Sequence, residues 1–394
     1  MNKYILENKV QEYIISNTKL DPYSIALKKS PFTNISSTEL AAQIDGRQRA
    51  LKKLPTWAYT PNIYFPDKIN IEQCSSEHTA LIKQSLIKKG SKVVDVTGGF
   101  SVDSCYMAQE AEYVIHCELN ENLSNIVKHN AKTLGVHNLK PIFTDGVKYI
   151  ESLEDNSIDY IYIDPSRRVN HSKVFLLEDC EPNIIELQHI FFSKSKNILC
   201  KLSPLMDINS ALQKLKHVKS VYIISVDGDC KELIFFQERN YSGQVNLNSI
   251  RLYSDKIQLF TFTLEQEKNA IAKNSEPLKY LYDPDVSITK AGAFKSIADK
   301  FNLYKLHAHT HLYTSNDQVD NFPGRAFNID KILTLSEFKK LKISFNANVA
   351  TKNFPLKVDQ VRKKFKIKDG GNTYLFFTTD HLENLIVIYC SKIV

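Results

Sequence analysis

The sequence lacks the features that mark several classes of protein. Its seven cysteines (Cys74, Cys105, Cys117, Cys180, Cys200, Cys230 and Cys390) are scattered, odd in number and never form Cys-x-x-Cys. That argues against a zinc knuckle or a disulfide framework and fits a reduced, cytoplasmic protein. No apolar run approaches the length needed to cross a bilayer. The opening residues, MNKYILENKVQEYIISN, are too polar for a signal peptide. There is no internal repeat and no low-complexity segment. A Gly-x-Gly-x-x-Gly fingerprint is missing too.

What is present is ordinary for a folded chain. The 394 residues suffice for two or three domains, with 43% hydrophobic and 24% charged residues. The net charge of +7 is mildly basic, which is compatible with nucleic acid as a partner without identifying one.

Residues 1–62 show apolar positions at three- and four-residue spacing, as in TELAAQIDGRQRALKKL, and are expected to be helical. IYFPDKINIEQCSSEHTALIKQSLIKKG predicts a short hairpin and then a helix, with Ser75 or Ser76 as its cap and Gly90 as its stop. From Lys92 the apolar runs KVVDVT, EYVIHCE, LKPIFTD, SIDYIYID and KNILCKL alternate with helical stretches, which implies a parallel sheet covered by helices on both faces. In SVYIISVDGDCKELIFFQE two apolar runs flank Asp227-Gly228-Asp229, a hairpin signal that adds an antiparallel closing strand. Beyond 240, SIRLYSDKIQLFTFTL suggests strands and AGAFKSIADKF a helix. The tail alternates strand and helix in the manner of a split βαβ, ferredoxin-like α+β domain. The expected divisions are 1–62, a helical N-terminal region; 63–239, the α/β sheet domain; 240–325, a ferredoxin-like or connecting region; and 326–394, a second α+β domain.

Four successive strands of the α/β region end in carboxylates: Asp95, Glu118, Asp145 and Asp164. Ligands bind at the carboxyl ends of parallel strands. Gly98 and Gly99 after the first strand let backbone approach a ligand, Glu118 is placed for ribose hydroxyls, and Asp145 for an adenine amine. The competing explanation is that these acids cap the helices that follow.

In these motifs the sequence resembles the class I S-adenosylmethionine-dependent methyltransferases over about residues 70–237. DVTGG looks like their cofactor turn and Asp164-Pro165 like their fourth motif. The resemblance implies a Rossmann-like fold and a cofactor set of Asp95, Thr97, Gly98, Gly99, Phe100, Asp103, Glu118, Leu119, Asp145, Gly146 and Asp164. More narrowly, DPSRR, KLSPLMDI, HLYTS and NFPLKVDQVRKKFKIKDGGNTYLFF are similar to a bacterial methyltransferase family with a C-terminal THUMP-like, ferredoxin-like domain. THUMP domains are associated with RNA, mostly tRNA, so a base of rRNA or tRNA is the implied substrate.

The family's amine-directed members follow Asp-Pro with a second proline and an aromatic ring. Here Ser166 and Arg167 stand instead, so Asp164, Pro165, Ser166 and Arg167 form the implied reaction site without the stacking ring. Arg167 and Arg168 can clamp phosphate or pair within the protein. Two other readings stay open: an RNA-binding protein that keeps the pocket without catalysis, and a methyltransferase acting on protein or a small molecule. Cys200 in NILCKLSP reads as a small core residue rather than a nucleophile. His307, His309 and His311 alternate and would share one face of a single strand, as a solvated face or a zinc site. Lys357, Arg362, Lys363, Lys364, Lys366 and Lys368 surround Phe365, either as a phosphate-tracking patch or as the wet face of a helix.

Overall fold

The computed structural model describes residues 1–167, 176–254, 256–341 and 346–393, with only the backbone of Arg167. They form two compact units: Met1–Val218 with Ile234–Ser242, and Lys219–Leu233 with Gly243–Val394. No helix of the described residues is long and apolar enough to cross a membrane.

The first unit opens with helices at Asn8–Ser16, Pro22–Ala26, Ser37–Lys53, Pro55–Tyr59, Lys68–Gln73 and Glu77–Ser85. Ser37–Lys53 starts at a capping box in which Ser36 and Glu39 satisfy each other's backbone N–H groups. Its apolar face packs Leu40, Ala41 and Ile44 against Ile5, Val10, Ile14 and Ile25. The hairpin expected near residue 64 is not formed. Both backbone groups of Tyr64 bond to the Asn130 amide, and both of Phe65 bond to the Gln43 amide. Side chains thus take the place of a second strand, and the chain enters the Lys68–Gln73 helix instead.

The strands follow: β1 (Lys92–Asp95), β2 (Tyr113–Glu118), β3 (Leu139–Phe143), β4 (Ile158–Ile163), β5 (Ser166–Arg167), β6 (Cys180–Glu181) and β7 (Ser195–Leu202). The sheet order β7-β4-β1-β2-β3 is parallel throughout. Val93, Val94, Ile161, Ile163, Ile198 and Leu199 are fully buried, each worth about 1.5–3 kcal/mol. Chain order reverses between β1 and β4, which opens a crevice at their carboxyl ends. β5 and β6 form a separate antiparallel pair.

β8 (Val218–Val226) and β9 (Asp229–Glu238) are joined by Asp227 and Gly228, both with positive φ, as the Asp-Gly signal predicts. β9 adds its second half beside β7 in the first unit. In the second unit β8 pairs in parallel with β10 (Asn246–Tyr253), which pairs antiparallel with β11 (Lys256–Thr263).

The rest of the second unit is a seven-stranded sheet, ordered β13-β14-β12-β15-β18-β17-β16. Its strands are β12 (Tyr280–Pro284), β13 (Tyr304–His307), β14 (Thr310–Ser315), β15 (Gly324–Thr334), β16 (Asn348–Lys352), β17 (Thr373–Thr379) and β18 (Leu385–Lys392). Helix Val358–Phe365 crosses between the parallel β16 and β17, burying Val361 in a core with Phe338, Leu375 and Phe377.

Two expectations for this unit change. AGAFKSIADKF is not one helix. Gly292, at φ 79°, ends helix Val286–Ala291, and a new one starts at Ser296, where Glu267 accepts the N–H groups of Phe294, Lys295 and Ser296. The three histidines do not lie on one strand, because Ala308 and His309 turn the chain between β13 and β14. His307 Nε2 meets Glu383 at 2.8 Å, while its Nδ1 accepts from the His309 N–H and the Asn353 amide. His311 stacks on Phe294 at 3.8 Å. Among the described residues no cluster of three metal-ligating side chains occurs.

Candidate active site

The crevice between β1 and β4 is built from backbone outward. Asp95, at the end of β1, is buried and accepts from the Thr97 N–H and the Ser104 hydroxyl. Burial pushes its pKa up to about 7. The Asp164 N–H donates to Thr97 Oγ1 at 2.7 Å, which ties β4 to the β1 turn across the crevice.

The turn after β1 spends its donors internally. The Thr97 N–H goes to Asp95, the Gly98 N–H to the Cys117 carbonyl, the Gly99 N–H to Glu118 and the Ser101 N–H to the Gly98 carbonyl. A pyrophosphate cradle needs such N–H groups pointing outward. Gly98 has no room for a side chain, since a Cβ there would lie 2.4 Å from the His116 ring. Neither nitrogen of that buried ring has a hydrogen-bond partner among the described residues, and burial lowers its pKa to about 4. Gly99 and Ser101 both adopt positive φ, and Phe100 is buried beneath them.

Glu118 ends β2 with each carboxylate oxygen engaged once, by the Gly99 N–H at 2.8 Å and the Asn120 N–H at 2.7 Å. Lone pairs remain on both oxygens for a ligand. Leu119 beside it is exposed. Asp145 caps helix Gly146–Glu151 by accepting from Val147 and Lys148 through Oδ1. The capping explanation is therefore correct for Asp145 and does not use its other oxygen. Gly146 packs on the chain just past β1, where a Cβ would meet the Val96 carbonyl oxygen at 2.2 Å.

Asp164 brings in groups that sequence reasoning did not connect. Its Oδ2 lies 2.5 Å from Lys201 Nζ at the end of β7. Lys201 also reaches Ser75 Oγ at 3.2 Å and Asp103 at 3.7 Å. Asp103 in turn binds the fully buried Lys83 at 3.0 Å and accepts from the Ser75 and Tyr162 hydroxyls. Burial alone would raise the Asp103 pKa, but Lys83 and Lys201 together with these hydroxyls hold it well below the usual carboxylate range. The available signal was a lysine on the apolar face of helix Glu77–Ser85, beside Thr79 and Ala80, and an acid within the wholly buried helix Val102–Met107. Charges at such positions are paired.

Pro165 is half-buried, and the exposed Ser166 donates to the Glu181 carbonyl at 3.4 Å. The Arg167 side chain and Arg168 lie outside the described residues. Cys200 is fully buried with its thiol pKa pushed well up, which fits a core residue. In the second unit Lys357, Lys363, Lys364, Lys366 and Lys368 are exposed on and around helix Val358–Phe365, while Arg362 pairs with Asp369. One helix thus buries Val361 and shows a basic outer face.

Comparison with known proteins adds identity to this geometry. A crystal structure of a candidate methyltransferase from Porphyromonas gingivalis W83 is 31% identical, covers 100% of this chain and 99% of its own, and superposes with a TM-score of 0.88. The chain belongs to that methyltransferase family. Family models match a ferredoxin-like domain at residues 280–323 and a THUMP-like domain at 324–392. M. capricolum TrmK with S-adenosyl-homocysteine is 18% identical over 41% of this chain and 68% of its own, with a TM-score of 0.32. An rRNA methylase from Streptococcus thermophilus is 12% identical over 41% of this chain and 94% of its own, with a TM-score of 0.31. No curated protein matches the sequence. The family is a class I methyltransferase sheet followed by a ferredoxin-like, THUMP-like C-terminal part.

Proposed function

We propose that this methyltransferase uses S-adenosylmethionine and acts on a base of RNA, with the four regions bounded at residues 62, 239 and 325. The observation that carries the cofactor assignment is the turn after β1. Four of its N–H groups are committed internally, while Glu118 and Asp145 keep acceptor capacity at the adjoining strand ends. That donor set fits a nucleoside bearing no phosphate and disfavours a dinucleotide.

Bound S-adenosylmethionine supplies an activated methyl group on a sulfonium. Glu118 accepts the ribose hydroxyls and Asp145 the adenine amine. Thr97, Gly98, Gly99, Phe100, Leu119 and Gly146 shape the walls, while Asp95 holds the turn from beneath and Asp103 anchors Lys83 and Lys201 below the crevice. Asp164 and the Pro165 carbonyl accept hydrogen bonds from the target group and orient its lone pair. Positioning of this kind accounts for most of the rate with little proton transfer. Ser166 and Arg167 follow on the substrate side. The THUMP-like match and the basic helix Val358–Phe365 support RNA as the partner.

The test is transfer of labelled methyl groups into total RNA and total protein from a strain lacking the gene. Label in RNA that is abolished by Asp164→Ala is the expected result. Label in protein alone contradicts the substrate assignment.

A further inference from the structure

We propose that Lys201 is a positioning residue of the reaction site: its ammonium fixes one oxygen of Asp164 and leaves the other as the acceptor for the target group. Ser75, from the segment after helix Lys68–Gln73, holds that ammonium in place. This rests on the reading of Asp164 as the substrate-orienting acid.

The geometry carries the assignment. Lys201 stands 2.5 Å from Asp164 but 3.7 Å from Asp103, so it is aimed at the reaction site. Asp103 is already engaged by Lys83, Ser75 and Tyr162. Lys83 also donates to Ser75 Oγ at 3.0 Å, so a single hydroxyl meets both ammonium groups and the buried acid. The Lys201 side chain is 11% exposed and that of Asp164 37%, so the series of charges runs from the interior to the crevice and ends on a carboxylate. A carboxylate held this way accepts hydrogen bonds and donates none. The substrate group it suits carries an N–H, and a nitrogen nucleophile of a base has that chemistry. The segment between helices Lys68–Gln73 and Glu77–Ser85, which precedes β1, then becomes part of the site through Ser75.

Two measurements separate this inference from the proposed activity. The first is a double-mutant cycle in urea unfolding with Lys201→Met and Asp164→Asn. Coupling that changes the folding equilibrium at least about threefold is expected, because contacting residues are non-additive. Strict additivity overturns the pairing whatever the protein catalyses. The second uses labelled S-adenosylmethionine and total RNA as the probe. Lys201→Met should lower kcat about 10–100-fold. Its KM for RNA should change little and its affinity for S-adenosylhomocysteine should stay within about threefold of wild type, with part of the rate restored in Lys201→Arg. A Lys201→Met enzyme with unchanged kcat overturns the positioning role. If Lys201→Met does not fold, Ser75→Ala is read in the same assay and should lower kcat in the same direction by a smaller factor; an unchanged kcat overturns the role there too. Wild-type protein that labels no RNA overturns the proposed function, and the unfolding cycle still decides whether Lys201 and Asp164 act as a pair.

Discussion

Asp103 in the first unit and Asp283 in the second are both buried carboxylates that hold two cations, but they turn opposite charges outward. Around Asp103 the cations are inside, with Lys83 fully buried and Lys201 nearly so, and the series ends on Asp164 at the crevice. Around Asp283 the acid is inside, while Arg325 and Lys352 reach solvent with side chains 41% and 33% exposed. Burying charge is costly, so the sign left at the surface is informative. A rim of Glu118, Asp145 and Asp164 suits hydroxyl and amine donors. The outward cations Arg325 and Lys352, like the exposed Lys363 and Lys364 of helix Val358–Phe365, carry the charge that suits phosphate.

Substitution of the two acids should have unequal costs. Asp103→Ala strands Lys83 and Lys201 in the interior and should cost about 3–5 kcal/mol. Asp283→Ala leaves its cations in water and should cost about 1 kcal/mol. Urea unfolding followed by Trp57 fluorescence for the first unit, and by circular dichroism for the second, checks both. Equal losses would remove the distinction.

Asp95 gives the next largest effect, through pH. Its folded pKa lies above its ordinary value, so its stabilising contribution is complete below about pH 4 and is lost as pH rises through about 7. Asp95→Asn should therefore match wild type at low pH and exceed it by up to a few kcal/mol near pH 8. His116 acts in the opposite sense. Its folded pKa is lowered to about 4, so stability is lost as pH falls from 6.5 towards that value. The variant should keep that acid-side loss alone. A wild-type decline above pH 5 that persists in Asp95→Asn would contradict the assignment.

The smallest effect is the most diagnostic of the outer basic face. Reversing Arg362, Lys363 and Lys364 together should weaken RNA binding and flatten its salt dependence by about two to three in logarithmic slope, read by filter binding across ionic strength. An unchanged slope would exclude this helix as a phosphate contact.

Much of this was legible in the sequence because it is local. The short apolar runs gave the parallel strands, and Asp227-Gly228 gave the hairpin, since each depends on neighbours a few residues away. What was not legible depends on distant partners. Asn130 and Gln43 replace the hairpin at Tyr64 and Phe65. Ser75 and Lys201 meet across 126 positions. The three histidines were misplaced because alternation holds only along one strand, and the chain turns at Ala308-His309. The acids at the strand ends were visible, but Asp145 also caps a helix and Asp95 is buried beneath the turn. Sequence position alone does not separate a ligand acid from a structural one.

In the proposed function Glu118 is the residue through which the carboxylate edge of the first unit holds S-adenosylmethionine. Titration calorimetry of wild type and Glu118→Ala with that cofactor tests it directly. Saturable one-to-one binding by wild type, weakened about tenfold or more in the variant, is the predicted result. No heat of binding with wild type, or equal affinity in the two proteins, would contradict it.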